Sequence, residues 1–132
     1  MKTKKVINGE GRVGYSYDDK GNTIMQAFFG ADNQPKADSN GIARYEWSYD
    51  DNGNTIMQAF FGADNQPKAD KYGIARYERS YDDSGHRTKE AFFGADNQPK
   101  AKWEGIARYE WSYDDNGNQT KQAFFGVDNQ EI

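Results

Sequence analysis

Four pairs of adjacent aspartates, Asp18-Asp19, Asp50-Asp51, Asp82-Asp83 and Asp114-Asp115, are the densest titratable feature of this chain. Paired carboxylates can divide acid and base roles in glycoside cleavage, or gather around calcium. Adjacent strand residues point to opposite faces, however, and the glycine that follows each pair does not fall where a helix-loop-helix calcium loop needs it. Turn formation is the better account. His86, the only histidine, follows Gly85 where the three other copies carry Asn, and it reads as a solvated turn residue rather than a general base. A hydrolase also needs one asymmetric catalytic set, whereas these motifs recur as near-equivalents. The chain is therefore read as non-enzymatic, with no catalytic residue, metal ligand or cofactor assigned. The remaining candidates are aromatic: Trp47, Tyr72, Trp103 and Trp111 could stack on sugar rings, several weak sites together giving avidity. The competing account makes Trp47 and Trp111 core and lets the two loop rings cover edges. Arg79, in the column of Trp47 and Trp111, places that column at a rim, which suits either account.

These residues recur because the chain is a repeat. The fullest unit begins at Gly41 and restarts at Gly73 and Gly105, so the units occupy approximately 9–40, 41–72, 73–104 and 105–132, the last one short. The second and third units agree almost letter for letter in ARYE, SYDD and AFFGADNQPKA. A period of this size marks an array in which each unit buries its apolar face on its neighbours. We read 1–132 as a single array.

Composition limits the partners. Lys plus Arg number 17 against 21 Asp plus Glu, a net charge of -4, with both signs interspersed in every copy. A nucleic-acid or anionic-membrane partner would favour a basic stripe instead. The mean hydropathy of -1.14 is low, yet 15% of residues are Phe, Trp or Tyr at fixed spacings, which implies a folded chain with an aromatic core. There is no cysteine, hence no disulfide or thiolate site. The basic start, MKTKKVINGEGRV, has no apolar run behind it, so no secretory signal is expected and localisation stays open between the cytoplasm and a fragment of a secreted or surface protein.

The element that must carry the motifs is a hairpin. From Ile42 to Asp50, Ala43, Tyr45, Trp47 and Tyr49 alternate with Arg44, Glu46 and Ser48, as on a strand with one buried face. Asn52-Gly53 then reads as a two-residue hairpin loop, and Thr55 to Ala63 returns. That loop sets Trp47 opposite Gln58, Tyr45 opposite Phe60 and Tyr49 opposite Ile56. It also sets Arg79 opposite Glu90, the only Arg and only Glu in their columns, whereas a three-residue loop would set Arg79 against Lys89. On the other face Arg12, Arg44, Arg76 and Arg108 come opposite Phe29, Phe61, Phe93 and Phe125, positioned for cation-π contact. Ala27, Ala59, Ala91 and Ala123, never enlarged, imply close packing. The expected fold is all-β, a tandem β-hairpin array of about eight antiparallel strands in four repeats. The connections, each with Pro35, Pro67 or Pro99 just past a strand, should lie along one side.

The recurring Tyr49-Asp50-Asp51-Asn52-Gly53-Asn54, matched from Tyr17, Tyr81 and Tyr113, resembles the YD-repeat, or rearrangement-hot-spot, family of bacterial toxin shells, wall-associated proteins and animal teneurins. More closely, the unit is similar to longer bacterial variants with a YD-x-x-GN turn followed by a YFG-x-DG-x-P segment. The resemblance implies hairpins coiled into a long β-sheet. Four copies are too few to enclose a toxin, so shell function is not carried over. The expectation is a non-catalytic scaffold or protein-interaction module from a bacterial surface or effector protein, self-associating through strand edges. The alternative is a carbohydrate-binding module using its exposed aromatics.

Overall fold

The computed structural model describes residues 2–8 and 11–132, with side chains from residue 11 onward. Among the described residues nine strands in sequence order form one antiparallel sheet: β1 (Lys2–Asn8), β2 (Gly11–Tyr17), β3 (Thr23–Gly30), β4 (Arg44–Tyr49), β5 (Thr55–Phe61), β6 (Arg76–Tyr81), β7 (Arg87–Phe93), β8 (Arg108–Tyr113) and β9 (Gln119–Phe125). Eight of them are the expected hairpin strands. The ninth, β1, precedes the repeats and pairs with β2 from Lys2↔Tyr17 to Asn8↔Gly11. In sequence it runs into Asn8-Gly9, the same dipeptide as at Asn52-Gly53, but it carries no alternating pattern of the repeat type. The start of the first copy at Gly9 lies outside the described residues.

The register matches the expected pairs in the body of each hairpin: Trp47 faces Gln58, Tyr45 faces Phe60 and Arg79 faces Glu90. Near the turn the expectation fails. Asp50 and Asn54 close the loop through Asp50 N–H to Asn54 O at 2.9 Å, with Gly53 N–H to Asp50 O at 3.1 Å, so three residues turn the chain. Gly53 takes φ +87°, while Asn52 does not take a positive φ. Tyr49 therefore faces Thr55, not Ile56, and Ile56 is an extra residue that restores the register at Ser48↔Met57. A three-residue loop and a one-residue bulge thus reproduce what a two-residue loop alone would have produced. The bulge recurs at Ile24, Thr88 and Thr120.

The connections do more than run along one side. At Gly62 the chain makes the same bend, with Asn65 rather than glycine in the left-handed region at φ 66°. It folds back so that Lys68 N–H bonds Phe60 O at 2.9 Å. Pro67 sits opposite Phe61, between that bond and the one from Gly62 N–H to Gln66 O at 2.9 Å, a ladder position that asks for no N–H, which is why proline fits there. A third bend, Asp70 to Ile74, closes with Asp70 N–H to Ile74 O at 2.8 Å and leads into the next unit.

The core lies where these connections meet the strands. Ile42, Phe60, Ile74, Tyr77 and Phe92 form one cluster, with Tyr45 and Tyr109 packed against it. Ile74 is fully buried, so the core is aliphatic at the connections and aromatic along the strands. Edge-to-face contacts run without a break from Phe28 through Tyr45, Phe60, Tyr77, Phe92 and Tyr109 to Phe124, with centroids 5.4 to 6.0 Å apart, the spacing at which ring quadrupoles attract.

Candidate functional site

The first aspartate of each pair is held by its own turn. Asp50 Oδ1 accepts the N–H groups of Asn52 at 3.0 Å and Asn54 at 2.8 Å, and Oδ2 accepts the Asn54 amide at 3.1 Å. Asp18, Asp82 and Asp114 repeat the arrangement. The backbone N–H of His86 is the main reason the Asp82 carboxyl sits below its ordinary value, against some desolvation, and Asn118 does the same for Asp114. At Asp18 and Asp50 desolvation pushes upward and the turn hydrogen bonds together outweigh it. Among the described residues no three His, Cys, Asp or Glu side chains gather at metal-binding distance. The motif's tyrosine reaches the preceding unit: Tyr49 donates to Thr23 O at 2.6 Å and Tyr113 to Arg87 O at 2.8 Å.

His86 departs from the solvated turn residue expected of it. Its ring is half-buried, stacked on Tyr113 of the next unit at 4.6 Å and 23°, with Nδ1 3.2 Å from Asp82. The Asn at this position in other copies carried no hint of a stacking partner in the following unit.

The four candidate aromatics separate into two environments. Trp47 and Trp111 are half-buried and stacked on Tyr45 and Tyr109, with interplanar angles of 13° and 5°. Tyr72 and Trp103 are exposed and adjacent, with centroids 4.8 Å apart and planes at 62°. They come from equivalent connections one unit apart, a proximity that only the sheet creates.

Beside them stands Lys102, a residue the sequence pattern did not single out. In the two preceding units this position is Asp38 or Asp70, whose carboxylate accepts the Tyr45 or Tyr77 hydroxyl and two backbone N–H groups of its bend. Burial first, and this bond second, raise the hydroxyl pKa of both tyrosines. Lysine cannot accept those bonds. The bend accordingly changes to Trp103 O accepting Ile106 N–H at 2.7 Å, with Glu104 and Gly105 both at positive φ. The Lys102 ammonium lies 4.7 to 5.5 Å from the centroids of Tyr77, Tyr72, Trp103 and Phe92, within cation-π range of all four.

On the opposite face the expected cation-π pairs are present. Arg12, Arg44, Arg76 and Arg108 lie 4.5, 4.1, 4.2 and 4.0 Å from the centroids of Phe29, Phe61, Phe93 and Phe125. Each of the last three also bonds the Glu next along the same strand face and the side chain of Asn65, Asn97 or Asn129. Gly14 stands where the first unit would carry that Glu, and Arg12 Nε is buried with no acceptor among the described residues. The never-enlarged alanines are buried in this face, Ala59 lying between Glu46 and Arg76 of the flanking strands.

The arrangement holds rings and charged stacks in fixed register, and the turns engage Asp18, Asp50, Asp82 and Asp114. No protein-family model matches this chain, and no curated protein matches it.

Proposed function

We propose that this chain is a non-catalytic repeat scaffold acting as a protein-interaction module, a segment of a bacterial surface or effector protein of the YD-repeat type. The supporting observation is that the first aspartate of each Asp-Asp pair is held by its own turn, within one open sheet in which β1 and β9 are the outer strands among the described residues. Unpaired strand edges attract other strands, and the module associates with itself through them. Sedimentation velocity across a wide concentration range tests this: a weight-average mass that rises with concentration is expected, and a constant monomer mass rules self-association out.

A second reading, binding of cell-wall or plant glycans, is favoured by the exposed Tyr72–Trp103 pair. It predicts glycan-array signal that Trp103→Ala removes and Trp47→Ala, at a half-buried ring, lowers less. An array blank for the intact chain eliminates it.

A further inference from the structure

We infer that Tyr72, Trp103, Lys71 and Lys102 form a binding site for an acidic glycan, one whose pyranose rings carry carboxylates. This rests on the glycan-binding reading and gives it a sugar class.

Every group of the site comes from residues 71–103, with repeat units on either side. Tyr72 is 38% exposed although its connection stands between two others, and Trp103 beside it is 47% exposed. Exposed rings of this kind offer an apolar face on which a sugar ring can stack, with a polar edge to bond its hydroxyls.

Lys102 supplies the charge. It is half-buried, its ammonium 4.7 to 5.5 Å from the centroids of Tyr77, Tyr72, Trp103 and Phe92. Among the described residues that ammonium has no hydrogen bond and no ion pair, so its three N–H donors are uncommitted. Ring faces attract the cation, and a carboxylate oxygen would add a short, charge-assisted bond. Lys71, exposed, stands 5.1 Å from the Tyr72 centroid, so two cations approach that ring. The neighbouring acids are engaged elsewhere. Asp70 accepts the Tyr77 hydroxyl and the N–H groups of Tyr72 and Ile74. Glu104 acts toward the following unit, where, after burial and Glu90, it helps to raise the Tyr109 hydroxyl.

The backbone of the two bends argues against a peptide strand as the ligand. The N–H groups of Asp70, Tyr72, Gly73, Ile74, Lys102 and Ile106 are already bonded within the bends, whereas strand addition draws its affinity from open backbone. Recognition therefore falls on ring faces and ammonium groups, which suits a charged sugar ring.

The test is isothermal titration calorimetry of the full chain with hexasaccharides of galacturonic acid and of mannuronic acid, with their methyl esters, which keep the rings and remove the charge, and with hexa-aspartate. Saturable binding of an acidic sugar is expected, about tenfold tighter than that of its ester or of hexa-aspartate. Lys102→Met keeps the aliphatic stem and should lower affinity for the acid about tenfold while sparing the ester; Trp103→Ala should lower both. Lys102→Asp, which restores the residue found here in the two preceding units, should abolish binding of the acid with an unchanged circular dichroism spectrum, and decides the matter if Lys102→Met does not fold. Equal binding of acid and ester, or of the acid by parent and Lys102 variants, overturns the acidic site and leaves glycan binding standing. Hexa-aspartate binding as tightly as the sugars overturns it in favour of an acidic peptide. No binding of any sugar overturns both this site and the glycan reading.

Discussion

Arg79 and Glu90 replace the Trp and Gln of the flanking copies together, and their side chains meet at 2.7 Å with Glu90 only 14% exposed. A joint change in two separate columns was enough to fix which residues face each other, because a cross-strand pair is the shortest-range constraint a sheet offers. A double-mutant cycle of Arg79→Trp and Glu90→Gln, followed by chemical denaturation, should give a coupling of about 0.2–1 kcal/mol; strictly additive effects would show that the pair contributes nothing. The turn aspartates make a second prediction. Their carboxyls titrate below the ordinary value of 3.8 in the folded chain, so their stabilising contribution is fully present above that pH and is lost as pH falls through the lowered folded values. Melting temperature should therefore drop on acidification below about pH 4, and the drop should be smaller in an Asp50→Asn, Asp114→Asn double variant. His86 was opaque at this scale: its stacking partner lies in another unit, and no local pattern encodes a contact made only after the sheet is assembled.

The bend and the bulge belong together at the scale of the element. The loop length was misjudged from sequence because Asn-Gly suits a two-residue loop, whereas Asp50 captures the backbone N–H groups of Asn52 and Asn54 and favours the longer bend. Pairing survived the error because Ile56 offsets it. Gly53 carries the left-handed conformation alone, and a methyl group there would touch nothing within 4 Å. Gly53→Ala should thus cost about 1 kcal/mol through backbone conformation and not through a clash, with an unchanged fold by circular dichroism; a neutral substitution would mean the bend relaxes. At Asp70 the same side-chain capture is used, and at Lys102 it is lost, which accounts for the different bend there. β1 carries no aromatic residue and no Tyr-Asp-Asp motif, so Asn8-Gly9 behind it does not read as a hairpin loop.

Across the whole molecule the buried rings form one continuous row, and position along the row sets the worth of each. Phe92, with a tyrosine on both sides, should lose about 3–5 kcal/mol on change to Ala. Phe124→Ala, at the open end, should lose clearly less; equal losses in thermal unfolding would show that the row is not packed as a unit. The general architecture was legible from the period and from the aromatic spacing, while Ile42 and Ile74, which close the core, stand at the head of their strand patterns in phase with the polar face, where alternation gives no sign of burial. Adjacent copies meet at junctions that repeat the same pairs one unit further along. Splicing one more complete unit between any two would leave every older contact chemically unaware of it. A cassette one residue too long would instead turn its inward rows toward solvent, so this protein can change length only in whole steps.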